Sequence, residues 1–302
     1  MPEWDPEVEV DADRARTLIE GQFPELSGAA LREIAAGWDN LVYLVDERWA
    51  FRFPRRAIAV PGVRREIAVL PRLAEHLPLP IPEPRFVGVP ADGYAWPWFG
   101  APYLPGVELA ESGLADDGRV ALGAALGGFL RELHAPALAS RIASSLPVDP
   151  MRRADMGVRV PHARRRLDQA VAAGLWQPTE EVERLLRDAI GLPPPPRVLV
   201  LHGDLHVRHV LVDSEGGATG VIDWGDTSAG DPSIDLAIAF GSFVGPAREA
   251  FVRAYGPIDG LTELRARLIA TFLAGALLTY AADVGLESLR AESLRSLERV
   301  VA

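Results

Sequence analysis

Residues 201–236 read LHGDLHVRHVLVDSEGGATGVIDWGDTSAGDPSIDL. Three short apolar runs, each bounded by polar or glycine-rich residues, predict strands at 198–201, 210–212 and 220–222. The second and third runs are joined by a Ser-Glu-Gly-Gly turn and should form a hairpin. A hairpin of this length folds Asp223 back beside the loop that carries Asp204 and His209. We therefore expect these three polar side chains to face one cavity.

These residue types suit one kind of chemistry in particular. Transfer of a γ-phosphoryl group needs a carboxylate that orients the acceptor hydroxyl, and oxygen or imidazole ligands that hold Mg²⁺ against the nucleotide phosphates. We assign the first role to Asp204 and the second to His209 and Asp223. A zinc hydrolase is an alternative, because three histidines fall between 202 and 209, and so is a merely polar turn. Neither alternative explains Asp223 or the GDPSIDLA run.

Three motifs occur in order: HGD at 202–204, IDW at 222–224 and GDPSIDLA at 230–237. They resemble the aminoglycoside and macrolide phosphotransferases, antibiotic kinases that share the protein-kinase fold. Those enzymes carry H-G-D-x-x-x-x-N, then I-D-W or I-D-F, then G-D-P-x-x-D-L-A. Where most of that family has Asn, this chain has His209, as in the macrolide 2'-phosphotransferase branch. Imidazole is a softer ligand than an amide oxygen and suits Mg²⁺ less well, but we keep His209 as a ligand.

The resemblance implies further roles around this loop. His202 and Asp235 would brace the loop, although a carboxylate at Asp235 also suits the N-terminal end of a helix. Ile222 would contact the nucleotide. His206 is either exposed or near the substrate. Residues expected to neighbour the acceptor are Trp224, Asp226 and Asp231.

The first hundred residues have a pattern typical of a nucleotide-binding hairpin. β-rich runs at 31–34, 41–45 and 49–53 are separated by the turns GWDN at 37–40 and DER at 46–48. Gly37 and Asn40 would approach the nucleotide. A single glycine is a weak phosphate cradle, and Gly37 taken alone is an ordinary turn residue.

All 31 basic residues of the chain are arginine, so the phosphate anchor that kinases place on their third strand must be an arginine. We choose Arg52 and keep Arg55 and Arg56 as alternatives. Arginine stays ionised and can grip phosphate oxygens bidentately. Glu66, in a segment with helical apolar spacing, is its expected partner, and a solvated glutamate is the alternative.

A proline-rich stretch at 78–84 precedes a second extended run, FGAPYLPG at 99–106. This run resembles the hinge between kinase lobes, where main-chain groups near Ala101 and Tyr103 would meet the base. An aromatic core strand would have the same pattern. The macrolide branch favours GTP as the donor, and the wider family favours ATP.

The resemblance implies an α+β, protein-kinase-like two-lobe fold. Its parts would be a β-rich nucleotide-binding lobe at 1–100, a hinge at 101–106 and a mostly helical catalytic and substrate-binding lobe at 107–302. Apolar spacing predicts helices at 120–134, 179–190, 246–255, 261–283 and 286–301. Six arginines between 152 and 166 form a basic cluster, which we interpret as a solvated helical face in preference to a site for an anionic partner.

Composition restricts the partners. The 302 residues carry a formal charge of −11, which disfavours nucleic acid and favours a cationic small molecule such as an amino sugar. The chain has no cysteine and begins MPEWDPEVEV, without a basic, apolar leader, so we expect a cytoplasmic enzyme. The apolar stretch at 268–280 is shorter than the roughly 20 residues needed to span a bilayer, which predicts a buried helix and no membrane partner.

We therefore expect a Mg²⁺-dependent kinase that transfers the γ-phosphoryl group of GTP or ATP to a hydroxyl of an antibiotic, of macrolide or aminoglycoside type. Two alternatives stay open. The same scaffold serves metabolic kinases of the choline, homoserine or fructosamine type. The second alternative is a non-catalytic nucleotide-binding protein, because His209 stands where most of the family has Asn and because the chain has no lysine.

Overall fold

The computed structural model describes residues 6–37, 39–195 and 197–302. The chain forms two units. The first contains the residues up to His76, Pro80–Leu104 and the short segment Trp224–Asp226, and the second contains Leu77–Leu79, Pro105–Asp223 and Thr227–Ala302. An antiparallel sheet dominates the first unit and helices dominate the second, so the expected α+β, kinase-like fold is confirmed.

The first unit has a five-stranded sheet in the order β1-β2-β3-β5-β4. Its strands are β1 Leu31–Ala36, β2 Asn40–Val45, β3 Trp49–Pro54, β4 Phe86–Gly88 and β5 Trp98–Pro102, and its helices are α1 Ala12–Gln22 and α2 Val60–Ala74. The predicted first three strands are confirmed. Asp46 and Glu47 both have positive φ, as in the tight turns that match the twist of a hairpin. The predicted turn at 37–40 is shorter than expected because Asn40 already opens β2, and Trp38 lies outside the described residues.

Alternation along β3 sends neighbouring side chains to opposite faces of this sheet. Phe51 and Phe53 are buried in a cluster with residues of α1, and the Phe53 ring stacks on Trp98 with centroids 4.9 Å apart. Arg52 points to the other face, toward Glu66 of α2. Aromatic side chains therefore pack on one face of the sheet. On the opposite face, Arg52 is a polar group beside α2.

The second unit has two small sheets, β6-β8-β9 and the pair β7 and β10. The strands are β6 Val107–Glu108, β7 Leu199–Leu201, β8 Val210–Val212, β9 Ala218–Val221 and β10 Ser228–Gly230. The helices are α3 Val120–Leu133, α4 Pro136–Ile142, α5 Met156–Ala172, α6 Glu180–Ala189, α7 Ser233–Ser242, α8 Gly245–Tyr255, α9 Gly260–Val284 and α10 Glu287–Arg299. The five helices predicted from periodicity are all present, with ends shifted by at most two residues.

The length argument applied to the apolar stretch at 268–280 is wrong. The helix that contains it, α9, runs for 25 residues and is long and apolar enough to cross a membrane by those two criteria alone. Its apolar residues are instead the centre of a core shared with α5, α6, α7 and α10. The prediction of a buried core helix is therefore correct, but its basis is the packing of α9 against other helices and not a short apolar length.

The apolar residues at 234–240 predict an amphipathic helix, and the basic cluster is interpreted as a solvated face; both interpretations need correction. The helix that contains Asp235, α7, is not amphipathic: all ten of its residues are buried, because it lies at the centre of the second unit. The basic cluster is not uniformly a solvated face. Arg152 and Arg165 are exposed, but Arg153 and Arg159 are 8% and 5% exposed. Periodicity could not reveal this, because arginine has the same polarity in either setting.

Asp235 connects the central helix to the end of β7. Its carboxylate is fully buried and accepts hydrogen bonds from the main-chain N–H groups of His202 at 2.8 Å and Gly203 at 2.9 Å. The Nε2 atom of His134 lies 3.1 Å away, and the other ring nitrogen of His134 lies 3.0 Å from the Tyr255 hydroxyl. Burial opposes ionisation of Asp235, but His134 and these donors keep its pKa below the ordinary value.

Two glycines let α3 and α8 approach each other closely. A Cβ atom at Gly123 would lie 2.4 Å from the carbonyl oxygen of Ala247, and one at Gly127 would lie 2.3 Å from that of Phe251. Main-chain atoms cannot move aside as a flexible side chain can. The neighbouring Gly128 has no atom within 4 Å of the corresponding position.

We expect Asp235→Ala to lower the free energy of unfolding by about 3–5 kcal/mol, because it leaves buried donors and His134 without their partner. Urea denaturation would measure the loss. Exposed Asp188 on α6 offers a matched control, and Asp188→Ala should change stability by less than about 0.5 kcal/mol. Equal effects of the two substitutions would contradict the assigned role of Asp235.

We expect Gly127→Ala to destabilise the protein by about 1–3 kcal/mol, because the added methyl group collides with the main chain of α8. Gly128→Ala adds the same group one residue later in open space, where alanine should stabilise the helix by about 1 kcal/mol. Urea denaturation of both variants tests the close approach. If both substitutions, or neither, destabilised the protein, the close approach of α3 and α8 would not be what limits the size of residue 127.

Candidate active site

The hairpin β8–β9 sets the positions of the expected catalytic side chains. Val210 pairs with Val221, and the Ile222 N–H donates to the carbonyl oxygen of His209 at 2.9 Å. The residue after Ile222 is Asp223, and its Oδ2 atom lies 3.4 Å from His209 Nε2. The structure therefore brings together these two residues, as hairpin length predicted.

Asp204 lies on the other side of the same imidazole. His209 Nδ1 is 2.7 Å from the Asp204 carbonyl oxygen and 3.9 Å from Oδ2. His206 joins the group: its Nε2 lies 3.6 Å from Asp204 Oδ2, and its ring stacks on that of His209 with centroids 3.9 Å apart. Ligand atoms of Asp204, His206 and His209 all lie within 4.8 Å of one another. His206 therefore belongs to the polar cluster and is not a solvated loop residue.

The electrostatics of this cluster favour a charged aspartate. Burial opposes ionisation of Asp204, but the charges of His206, His209 and Arg153 outweigh it and hold the pKa of Asp204 well below its ordinary value. For His209, burial and the charge of His206 lower the pKa, against the opposing carboxylates. At neutral pH the cluster thus contains an ionised Asp204, whose side chain is 31% exposed.

Asp223 has φ of +63°, a left-handed conformation that is uncommon outside glycine and costs on the order of 1–3 kcal/mol. The segment that follows it is fixed by α2. The Trp224 N–H donates to Glu66 Oε1 at 3.2 Å, and Arg65 Nη2 donates to the Gly225 carbonyl oxygen at 2.5 Å. These two hydrogen bonds, to Trp224 and Gly225, therefore fix the main chain immediately after Asp223.

Arg52 is held from two sides within the first unit. Its Nη1 atom donates to Glu66 Oε1 at 3.0 Å, and the Glu66 side chain is fully buried. With its amide oxygen turned toward Arg52, Asn40 accepts from Nη2 at 2.8 Å and from Nε at 3.3 Å. The expected Arg52–Glu66 pair is present. Asn40 is a second partner of Arg52: the sequence analysis expected it to approach the nucleotide but did not predict this hydrogen bond.

The other residues predicted to contact the nucleotide or to brace the loop differ in their contacts. The Gly37 N–H donates to the Asn40 carbonyl oxygen at 2.9 Å and so closes a turn. The Ala101 side chain packs between β5 and α2. The Tyr103 N–H is already donated to the carbonyl oxygen of Arg48 at 2.8 Å, which removes one of the main-chain groups proposed to meet the base. His202, predicted to brace the loop, has Nε2 2.9 Å from the Ile222 carbonyl oxygen.

Two residues expected near the acceptor are not accessible to it. Trp224 is fully buried, and Asp231 is 2% exposed with Oδ1 accepting from the Ser233 N–H at 3.0 Å. Their side chains therefore have packing and capping roles, whereas Asp226 is partly exposed. Sequence reasoning missed His134, which no motif marks, and the burial of Arg153 and Arg159.

Comparison with solved structures gives the same fold. The GDP complex of wild-type aminoglycoside 2'-phosphotransferase-IIIa is 23% identical with a TM-score of 0.69, and the match covers 96% of this chain and 98% of that one. Macrolide 2'-phosphotransferase MphH from Brachybacterium faecium is 23% identical with a TM-score of 0.61, covering 95% and 97%. The streptomycin-ATP-APH(2")-IIa ternary complex is 18% identical with a TM-score of 0.59, covering 93% and 96%.

A curated relative, the uncharacterized protein YcbJ of Bacillus subtilis (strain 168), is 41% identical over 39 residues, a match that spans 13% of this chain and 13% of YcbJ. The model of the phosphotransferase enzyme family, APH, matches residues 30–268. That range is well over half of the chain and contains both the Arg52–Glu66 pair and the cluster around Asp204. The protein therefore belongs to the phosphotransferase enzyme family.

Proposed function

We propose that this phosphotransferase moves the γ-phosphoryl group of GTP or ATP to a hydroxyl group of a small antibiotic, of macrolide or aminoglycoside type. The observation that carries the proposal is the convergence of Asp204 and Asp223 on the two ring nitrogens of His209. A charged carboxylate and a potential metal site then lie side by side, which is the arrangement that phosphoryl transfer to an alcohol needs.

Asp204 is the residue that positions the acceptor. Its low pKa keeps the carboxylate ionised, so it accepts a hydrogen bond from the attacking hydroxyl and aims that oxygen at the γ-phosphorus. The partial exposure of the side chain leaves it accessible to a substrate. Asp235 contributes indirectly, because it fixes the main chain of His202 and Gly203 just before Asp204.

The residues at the metal position fit Mg²⁺. Proteins usually hold this ion through one or two carboxylates and leave its other positions to phosphate oxygens and water. Asp223 supplies the carboxylate, and His209 Nε2, 3.4 Å from it, is close enough to share one ion. When bound, Mg²⁺ would neutralise phosphate charge. The imidazole is the weaker of the two donors for Mg²⁺.

The phosphate anchor in this proposal is Arg52. Glu66 and Asn40 bind three of its nitrogen atoms, so the guanidinium is oriented before nucleotide arrives and loses little freedom on binding. Glu66 also accepts from the Trp224 N–H, which ties the anchor to the segment that follows Asp223. Gly37, Ala101, Tyr103 and Ile222 remain proposed nucleotide neighbours through their main chains or exposed atoms.

The choice of donor and acceptor is supported by what related structures contain. One neighbour holds GDP, another holds ATP with streptomycin, and a third is a macrolide 2'-phosphotransferase. The formal charge of −11 favours an acceptor that carries an amino sugar over an anionic macromolecule. We propose a cytoplasmic enzyme acting on small molecules, with no nucleic acid or membrane partner.

We expect Asp204→Asn to lower kcat at least about 100-fold while leaving the Kd for nucleotide nearly unchanged, because the amide cannot accept the hydroxyl proton. The assay uses labelled GTP and ATP with macrolides, aminoglycosides, choline, homoserine and a fructosamine. Asp168→Asn, on the exposed side of α5, should retain full turnover.

Full turnover by Asp204→Asn would refute the catalytic role. Turnover of only choline, homoserine or fructosamine would place the enzyme among metabolic kinases. Nucleotide binding without Mg²⁺ dependence, and without turnover of any acceptor, would identify a non-catalytic protein.

We expect His209→Asn to retain turnover and to reach half-maximal rate at a several-fold lower Mg²⁺ concentration, because an amide oxygen is a harder donor than imidazole. The advantage of Mn²⁺ over Mg²⁺ should shrink in parallel. Rates measured across metal concentrations test this, with exposed His76→Asn as the control. An unchanged metal dependence would remove His209 from the metal site.

A further inference from the structure

Arg208 immediately precedes His209, and its side chain connects the loop to two other elements of the second unit. Its Nε atom donates to Glu108 Oε2 at 3.0 Å, and its Nη2 atom donates to Glu108 Oε1 at 3.4 Å. Its guanidinium lies over the Tyr280 ring, 5.6 Å from the centroid. One side chain of the loop therefore contacts both β6 and α9.

The main chain on either side of Arg208 is held by the same region of β6. The Ala110 N–H donates to the Val207 carbonyl oxygen at 3.0 Å, and the Leu109 N–H donates to that of Val210 at 2.9 Å. These two bonds enclose a segment of two residues, Arg208 and the proposed metal ligand. The ion pair of Arg208 thus fixes the part of the loop that lies between them.

The pair with Glu108 is better ordered than a typical surface ion pair. Exposed pairs contribute little, because water screens them and because two long side chains must be held in one geometry. The Arg187–Glu180 pair on α6 is of that kind, with side chains 58% and 65% exposed. Arg208 and Glu108 are 32% and 31% exposed, and their two bonds and the ring of Tyr280 restrict the guanidinium further.

The shape of this loop decides which nitrogen of His209 is available to a metal ion. Nδ1 lies 2.7 Å from the Asp204 carbonyl oxygen. A carbonyl oxygen can only accept, so Nδ1 carries a hydrogen, and Nε2 is the nitrogen that faces Asp223 Oδ2 at 3.4 Å. A metal-binding imidazole commonly donates its other N–H in this way. Movement of the segment before His209 would disturb this arrangement.

We infer that Arg208, held by Glu108, is a positioning residue for the metal site and keeps His209 Nε2 opposite Asp223. The inference rests on the metal position in the proposed function. The start of the loop is fixed separately by Asp235. Loss of the arginine should therefore disturb the metal end of the loop more than the end that positions the acceptor.

Binding of Mn²⁺ tests the inference without requiring turnover. Titrations followed by electron paramagnetic resonance, with Mn²⁺ alone and with GDP, should give a Kd at least about threefold higher for Arg208→Met than for the wild type. Arg187→Met removes an arginine from an exposed ion pair and should bind Mn²⁺ as the wild type does. Thermal unfolding establishes that both variants are folded.

The direction of this change separates positioning from a simple effect of charge. Removal of a cation near a metal site would by itself strengthen the binding of Mn²⁺. Positioning predicts the opposite for Arg208→Met, and it predicts partial recovery in Arg208→Lys, which can restore one hydrogen bond to Glu108. Glu108→Gln should also weaken binding, and the double variant with Arg208→Met should be no weaker than the weaker single variant, because the two residues act as a unit.

Kinetics provide a second test. Arg208→Met should need at least about threefold more Mg²⁺ to reach half-maximal rate, while the KM of the acceptor stays nearly unchanged. An equal rise in the KM of the acceptor would place Arg208 at the acceptor and overturn the inference.

A folded Arg208→Met protein with wild-type affinity for Mn²⁺ would overturn the inference, and so would a wild type that binds no Mn²⁺. If Arg208→Met does not fold, Glu108→Gln replaces it, and unchanged binding by that variant would have the same meaning. If the wild type turned over no acceptor but bound Mn²⁺ more tightly than Arg208→Met, the proposed function would be contradicted and the positioning role would stand.

Discussion

A charged carboxylate in a protein core costs several kcal/mol without compensation, and Asp235 is stable at the centre of the second unit because two main-chain N–H groups and His134 surround it. The same requirement fixes the geometry at the end of β7. The N–H groups of His202 and Gly203 can both reach Asp235 in few conformations, so the loop leaves the strand in a defined direction and Asp204 follows. The position of the carboxylate that we propose to be catalytic is thus a consequence of core electrostatics.

Glu66 has a comparable function in the first unit, where one buried carboxylate oxygen accepts from both Arg52 and the Trp224 N–H. The cation proposed to hold phosphates and the main chain next to Asp223 are therefore not independent. The left-handed conformation of Asp223 is unfavourable alone, and such conformations persist only where surrounding contacts determine them. Arg65 and Glu66 provide two of these contacts to the residues that follow.

Much of this architecture was predictable from the sequence. Alternating apolar residues gave the first three strands, and helical spacing gave the helices, because burial on one face leaves a periodic signal. The length of the β8–β9 hairpin placed Asp223 beside His209 for the same local reason. The position of His206 against Asp204 was not predictable, since it depends on how a short loop turns its side chains. Nor was the burial of Arg159, which depends on Phe272, over one hundred residues away in the chain.

The close approach of α3 and α8 at Gly127 has a consequence far from that contact. His134 follows the last residue of α3, and Tyr255 is the last residue of α8, so the two groups that meet behind Asp235 are carried by these two helices. Spreading the helix pair would pull the tyrosine from the imidazole and weaken the support of the loop. A larger residue at this remote glycine would thus disturb the proposed catalytic loop as well as the packing of the helix pair.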